Sequence, residues 1–266
     1  TNIRRVNLFM KYVDGAPLLE STKIQYKAEA RFLRAWYYAM MLRHYGGVPL
    51  LGDTIYEVED DMKTKRDTYA DCVKYIVDEC ELAAKDLPVV FSGMNNGRAT
   101  AGACKGLISR IRLYEASKLF NGSDFGTSTN CPKELIGHPN YDKERWKTAM
   151  DAARAVINLG TYNLFIRSKD LNGKAEPGFG FYVVFQAGDT RNANLTDDDG
   201  KNNNGAFAGN ILDRKYQRES GHEAAYYPPS GSHSGTRHGG YIYKELADAF
   251  PMIDGKPINN SQYTFD

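Results

Sequence analysis

The stretch that decides the fold lies early in the chain. It reads AEARFLRAWYY over residues 28–38 and YGGVPL over residues 45–50. Around it, apolar residues recur at spacings of three and four, which predicts an α-helix with one buried stripe. The stripe consists of Ile24, Ala28, Phe32, Ala35, Trp36, Ala39 and Met40. Ser21 is the predicted N-cap, and the GGVP segment predicts the end of the helix.

Three more amphipathic helices are expected after this one. Asp67 is the predicted N-cap of the first, which ends at Pro88, and the others run from Thr100 to Asn121 and from Asp142 to Gly160. The predicted apolar face of the first consists of Tyr69, Val73, Ile76, Cys80, Ala83 and Leu87. In the last of them, Trp146, Ala149 and Ala153 resemble the large and small packing positions of tetratricopeptide (TPR) helices. Helices joined by short turns pack as antiparallel hairpins. We therefore expect an all-α fold, a TPR-like α-α superhelix of helical hairpins.

The character of the sequence changes after Gly160. Residues 160–242 hold 13 of the 25 glycines. The run FYVVF at residues 181–185 predicts one short strand, the polar stretch 197–205 predicts a loop, and residues 244–250 predict a short helix. Long loops within a compact chain often carry function. We expect residues 1–165 to form the helical part of a single domain and residues 166–266 a loop-rich ligand face.

Composition excludes some classes of protein. The 266 residues carry a formal net charge of +1. Nucleic-acid binders usually have an excess of basic residues, so this charge argues against that class. The sequence has no apolar run of about 18 residues, so no membrane-spanning helix is predicted.

The four cysteines show no metal-binding spacing. None belongs to a CxxC pair, which argues against a zinc site. Cys72, Cys80 and Cys104 fall within predicted helices among apolar residues, and we expect them to be small buried side chains. A disulfide between neighbouring helices is the alternative interpretation.

Several motifs, in a fixed order, resemble those of one protein family. The first segments are AEARFLRAWYY, YGGVPL, the helix that ends in AKDLP at residue 88, and GRAT at 97–100. The later ones are the stretch from Trp146 to the YNL sequence that ends at residue 164, and KELADAF at 244–250 with DGKP at 254–257. Together they resemble the SusD/RagB family of outer-membrane nutrient-binding lipoproteins. The resemblance covers residues 20 to 264, nearly the whole chain.

The resemblance implies a function as well as a fold. Members of the family are TPR-like glycan-binding lipoproteins of the Bacteroidetes cell surface, and they bind without catalysis. The expected partners are a SusC-like TonB-dependent transporter and an oligosaccharide or polysaccharide. We expect this chain to be an internal fragment of such a protein. The signal peptide and the lipid anchor would then lie outside it.

A sugar ligand requires exposed aromatic rings for its C–H face and polar side chains for its hydroxyl rim. The loop-rich part supplies both, and Trp36 and Trp146 are instead expected in the helical core. The candidate ligand-binding residues are Tyr226, Tyr227, Tyr216, Phe207, Arg218, His222 and Asn203.

Other functions find less support in the sequence. The acidic cluster 197–199 lacks EF-hand spacing, because Leu195 occupies the first ligand position, so no metal or other cofactor is expected. His233 stands where a GxSxG elbow would place its nucleophile, so no catalytic residue is assigned. A TPR-like scaffold that binds a protein or peptide is the main alternative. A glycosidase is a further one.

Overall fold

The described part of the chain is its helical portion. The computed structural model describes residues 2–57, 59–61, 63–91, 95, 97–122, 124, 131–162, 169 and 173–176. All of them belong to the first of two compact units, Thr1–Arg214. The predicted strand at 181–185, the polar loop at 197–205 and the short helix at 244–250 lie outside the described residues. The division of one domain at residue 165 stays a prediction.

The regular elements of the described residues are helices joined by loops, and isolated bridges pair Asn121 with His138 and Lys169 with Ala175. The elements are α1 (Asn2–Tyr12), a 3-10 turn (Val13–Gly15), α2 (Glu20–Tyr45), α3 (Tyr69–Asp86), α4 (Ala101–Ala116), α5 (Lys133–Ile136) and α6 (Glu144–Ile157). The all-α prediction is confirmed. No helix in this described part is long and apolar enough to cross a membrane.

Helix α2 begins one residue before the predicted cap. Leu19, extended at the N-cap position, makes no side-chain cap hydrogen bond, so the prediction for Ser21 is wrong. The end is as predicted, because Gly46 adopts a φ of 71° and its N–H donates to the Leu42 carbonyl. Most of the predicted stripe is buried, but Ile24 and Met40 are exposed. Met40 lies about 100° round the helix from buried Ala39, which turns it away from the core.

Helix α3 follows the sequence pattern closely. Its predicted apolar face is buried throughout. That face consists of Tyr69, Val73, Ile76, Cys80, Ala83 and Leu87. Its N-cap is Thr68, whose hydroxyl accepts a hydrogen bond from the Asp71 N–H, so the cap predicted at Asp67 is displaced by one residue.

Helices α4 and α6 have shorter spans than expected. Thr100, where the sequence predicts the start of this helix, is the N-cap of α4 and accepts from the Ala103 N–H at 3.0 Å. However, α4 ends at Ala116, because Ser117 is extended. Helix α6 begins at Glu144, and the Asp142 carboxylate accepts a hydrogen bond from the Glu144 N–H.

Each long helix packs against the next, in the series α1–α2, α2–α3, α3–α4 and α4–α6. One hydrophobic core joins α2, α3 and α4, with partly buried Trp36 packed against it. Cys72, Cys80 and Cys104 are completely buried in that core, which confirms the expectation for them. This arrangement is the TPR-like one that the sequence predicts.

Candidate functional site

The candidate ligand-binding residues from the sequence all lie between residues 203 and 227, outside the described part. Their assignment therefore stays a prediction. The described helices show instead which contacts the sequence motifs make and which aromatic rings the helical surface exposes. Within those helices and their loops, no group of three or more His, Cys, Asp or Glu side chains could hold a metal ion.

Arg34, in the middle of AEARFLRAWYY, is the centre of a buried polar cluster. Its Nε and Nη2 donate to the Glu79 carboxylate on α3 at 3.0 and 2.8 Å. Its Nη1 donates to Asn7 Oδ1 on α1 at 3.0 Å, to the Gly52 carbonyl at 3.1 Å and to Asp53 Oδ1 at 2.6 Å. One guanidinium thus connects three helices with the loop that follows GGVPL.

Neighbouring side chains complete this cluster. Arg31, one turn before Arg34, donates to the other Glu79 oxygen at 2.9 Å. The Asn7 amide donates to the carbonyls of Gly52 and Thr54, each at 2.9 Å. The cluster therefore supplies hydrogen bonds to loop carbonyl groups that would otherwise lack a donor. The two arginines of the motif therefore hold α2 against α3 through Glu79.

The protonation of Arg34 is fixed by these partners. Burial opposes its charge, but the hydrogen bond to Asp53 and the charge of Glu79 outweigh burial and raise the pKa of Arg34. Its side chain is 2% exposed, whereas that of Asp53 is 76% exposed. Arg34 therefore stays positively charged, and the carboxylates of Glu79 and Asp53 neutralise that charge.

The GGVPL turn is a close contact between backbone segments. The Gly47 N–H donates to the Leu135 carbonyl of α5 at 2.6 Å, and the Gly47 carbonyl accepts from Arg66 at 2.7 Å. The Leu50 N–H donates to the Asp67 carboxylate at 2.7 Å. A Cβ on Gly47 would overlap the Asp67 carbonyl oxygen. Only glycine therefore fits between the end of α2 and the start of α3.

The GRAT motif ties the loop before α4 to helix α2. Arg98 makes a two-pronged ion pair with Glu29, with N–O distances of 2.6 and 3.1 Å. Its guanidinium also lies over the rings of Tyr26 and Phe91, about 5 Å from each ring centre. This arginine is therefore also structural.

A second buried cluster surrounds Glu115 on α4. Its carboxylate pairs with His138 Nε2 at 2.9 Å and with Arg112 at 2.7 Å. Burial favours the neutral acid, but these two partners outweigh it and lower the pKa of Glu115. Beside them, the ring of Tyr69 stacks on that of Phe120. The cluster fixes the loop between α4 and α6 against α3.

The helical surface exposes several aromatic rings that could stack on a ligand. Tyr12, Tyr45 and Tyr141 are 63%, 67% and 64% exposed. Trp146 is 46% exposed, so the prediction that it lies in the core is wrong. The reason is that α6 packs on the core through Ala149 and the partly buried Ala152, about 100° round the helix from the outward face.

The outward face of α6 is itself apolar. We call the residues Trp146, Met150, Ala153 and Ile157 the outer α6 stripe; they are all exposed and are spaced by four, three and four. The inner stripe, with Ala149, lies directly beside it. Because the two stripes lie side by side, the apolar spacing in the sequence predicts a single buried face. The exposure of Trp146 therefore does not follow from that spacing.

Residues 1–113, which span α1 to most of α4, match the SusD-like family described as starch-binding and associating with the outer membrane. This helical region is therefore similar to that family. The Arg34 cluster, the GGVPL turn and Arg98 all lie within the matched residues. Among curated proteins, none matches the sequence.

A solved structure shares the fold of this chain. The protein BT4246 superposes with a TM-score of 0.66 at 22% identity, over 98% of this chain and 47% of its own length. A SusD-like protein from Bacteroides fragilis NCTC 9343 gives 0.48 at 27% identity, over 63% of this chain and 27% of its own.

A SusD-like carbohydrate-binding protein from the same organism gives a TM-score of 0.44 at 22% identity, over 63% of this chain and 28% of its own. This chain thus spans less than half the length of each of these solved proteins.

Proposed function

We propose that this protein binds an oligosaccharide or polysaccharide at the bacterial cell surface, without catalysing a reaction on it. The observation that carries the proposal is the match of residues 1–113 to a family described as starch-binding and associating with the outer membrane. That description names a binding role and a location, and it names no reaction. The TPR-like packing of α1 to α4 is consistent with that match.

The proposal extends to how the ligand is passed on. The bound glycan is delivered to a SusC-like TonB-dependent transporter in the outer membrane, and the protein is held at the cell surface by a lipid anchor. The ordered motifs that resemble the SusD/RagB family support both statements. Co-purification of the transporter with the tagged, membrane-associated protein tests the delivery step, and metabolic labelling with a fatty-acid probe tests the anchor.

Glycan contact is assigned to the loop-rich part, because it combines aromatic and polar residues without a helical pattern. Tyr226 and Tyr227 supply stacking surfaces, together with Tyr216 and Phe207. The remaining candidates, Arg218, His222 and Asn203, supply hydrogen bonds to the hydroxyl rim.

Affinity electrophoresis in gels that contain starch, laminarin or xyloglucan tests this assignment. We expect one polysaccharide to retard the protein and the double substitution Tyr226→Ala and Tyr227→Ala to abolish the retardation. The matched control is Tyr12→Ala with Tyr141→Ala, which removes two rings that are 63% and 64% exposed on the helical part. Equal loss in both double variants would contradict a site in the late loops.

A second candidate function is a scaffold that binds a protein or peptide. The outer α6 stripe favours it, because an exposed apolar helix face is a surface that a partner helix can cover. Binding to a transporter fragment, without retardation by any glycan, would support this alternative. Release of reducing sugar over time would instead indicate a glycosidase.

A further inference from the structure

The α1–α2 hairpin exposes large apolar side chains at the end where its two helices are joined. Leu18 and Leu19, which follow Pro17 and precede α2, are both exposed, Leu19 to 76%. Tyr12 is the last residue of α1, and Phe9 lies three residues before it on the same side of the helix. Both of these rings are exposed as well. We call Phe9, Tyr12, Leu18 and Leu19 the apolar tip.

The turn that carries the apolar tip is held by internal contacts. Val13 is buried, and its carbonyl accepts a hydrogen bond from the Ala16 N–H at 3.1 Å. The ammonium group of Lys23, in the first turn of α2, donates to the Asp14 carbonyl at 2.8 Å. These contacts fix the turn against α2, so an ordered support presents the leucines to the outside.

The charged groups beside the apolar tip almost cancel. Lys27 pairs with the Asp14 carboxylate at 2.5 Å, and Lys23 pairs with Glu20 at 3.8 Å. Lys11 adds a third lysine, so three lysines and two carboxylates leave a single positive charge among these groups. Attraction by charge is therefore weak here, and burial of apolar surface is the main driving force that the tip offers to a partner.

A lipid bilayer has the chemistry that matches this surface. Leucine side chains enter the boundary between headgroups and acyl chains, tyrosine rings lie at the level of the headgroups, and lysines keep their ammonium groups in water. Beside the leucines, Tyr12 and Lys11 supply the last two, with the ammonium group 5.4 Å from the ring centre. The family that residues 1–113 match is described as associating with the outer membrane, and the apolar tip lies within those residues.

We propose that the apolar tip inserts into the headgroup region of the outer membrane and so orients the helical part on its surface. The proposal rests on the proposed location of the protein at that membrane. Insertion of two leucines and two rings is shallow and reversible. It becomes effective because a lipid anchor keeps the tip close to the bilayer, and stable attachment to a membrane usually takes two such signals.

The test places the full chain on vesicles by an artificial tether, which stands in for the anchor. A hexahistidine tag at the N-terminus binds phosphatidylcholine vesicles that contain a nickel-chelating lipid. In the variant Leu19→Trp, we expect the added fluorescence to shift to shorter wavelength and to be quenched by brominated phosphatidylcholine. Leu82→Trp, at an exposed leucine of α3, is the matched control and should show neither effect. The unsubstituted chain, with its two tryptophans, gives the background.

A second measurement uses substitutions that remove apolar surface. We expect Leu18→Ser with Leu19→Ser to raise the apparent dissociation constant of the tagged chain for these vesicles about tenfold, because both leucines then stay in water. Leu82→Ser with Leu113→Ser removes two exposed leucines from α3 and α4 and should leave that constant unchanged. Circular dichroism verifies the fold, and Tyr12→Trp replaces Leu19→Trp as the probe if that variant does not fold.

Absence of quenching at the tip, or equal quenching at the tip and on α3, would overturn the proposal. Equal weakening in the two double-serine variants would overturn it too, because any exposed leucine would then suffice. Affinity electrophoresis of the same variants separates this result from the proposed function. Glycan retardation without quenching overturns only membrane contact by the tip, whereas quenching without retardation contradicts only glycan binding.

Discussion

Buried charged side chains in this protein contact opposite charges from other elements. Arg34 joins α2 to Glu79 on α3, and Glu115 on α4 joins His138 in the following loop. Such pairs add little net stability when they are intact, but the loss of one partner leaves an uncompensated charge in the core. The effect of each pair on the free energy of unfolding is therefore large only when one partner is removed.

The substitution Arg34→Met tests this at the first cluster. It keeps the length of the side chain but leaves Glu79 with Arg31 alone and frees the Gly52 carbonyl from its Arg34 hydrogen bond. We expect the free energy of unfolding in urea to fall by about 3–5 kcal/mol. The control is Arg4→Met, which removes an exposed pair with Glu57 and should cost about 0–1 kcal/mol. A similar loss of unfolding free energy in the two variants would show that the Arg34 cluster does not anchor the loop that follows GGVPL.

Glu115 makes stability depend on pH in the acid range. Its pKa is lowered from 4.5 in the folded protein, because His138 and Arg112 hold the charged form against burial. Its contribution is thus fully present above the unfolded pKa and is lost as the pH falls through the folded value. We expect the free energy of unfolding to decline below about pH 5 and Glu115→Gln to flatten that decline.

The same Glu115→Gln variant should be less stable at neutral pH by about 1–3 kcal/mol, because a buried charge-assisted hydrogen bond is weakened. Urea unfolding at a series of pH values between 3 and 7 measures both effects. Glu134→Gln on α5, at an exposed position, is the control and should leave the acid slope unchanged. An unchanged slope in Glu115→Gln would show that other carboxylates govern acid unfolding.

At the scale of elements, the sequence predicts which segments are helical better than where they begin. The stripe of α3 and the start of α4 at Thr100 are predicted correctly because each depends on local sequence. The caps at Ser21 and Asp67 are wrong, because Leu19 starts α2 without a side-chain bond and Asp67 instead accepts from the distant Leu50 N–H. Long-range hydrogen bonds of this kind leave no periodic pattern in the sequence.

The junction between α2 and α3 gives a sharp test at this scale. Gly47→Ala would place a methyl group against the Asp67 carbonyl oxygen and 3.0 Å from the Thr68 carbonyl carbon, both of which are backbone atoms. Because neither can move without shifting α3, we expect a loss of about 2–3 kcal/mol in the free energy of unfolding. Gly15→Ala is the control, since no atom lies within 4 Å of its added methyl group. If both variants unfold at the same urea concentration, the turn is looser than its geometry indicates.

At the scale of the whole molecule, the core and the proposed ligand site belong to different parts of the chain. The core cluster of the described residues extends from Ala28 to Ile111, and Phe120 and Ala152 pack against it. Periodicity and the family motifs allowed this part to be predicted. The proposed ligand residues fall in a stretch without helical periodicity, where chain geometry depends on tertiary contacts that spacing does not encode.

A fragment of residues 1–162 tests that separation. It contains every described helix and ends at Tyr162, whose ring lies against Gly102 of α4 and whose hydroxyl donates to the Val89 carbonyl. Because these contacts and the core are all internal to it, we expect the fragment to be helical by circular dichroism and to unfold cooperatively in urea. It should not be retarded by the polysaccharide that retards the full chain.

The control for this fragment is its Tyr162→Ala variant, which removes the last anchor on α4 and should unfold at a lower urea concentration. Retardation of the fragment equal to that of the full chain would contradict a site in the late loops. The exposed rings of Tyr45, Tyr141 and Trp146 would then be the surfaces to substitute next, because they are among the stacking platforms that the helical part retains.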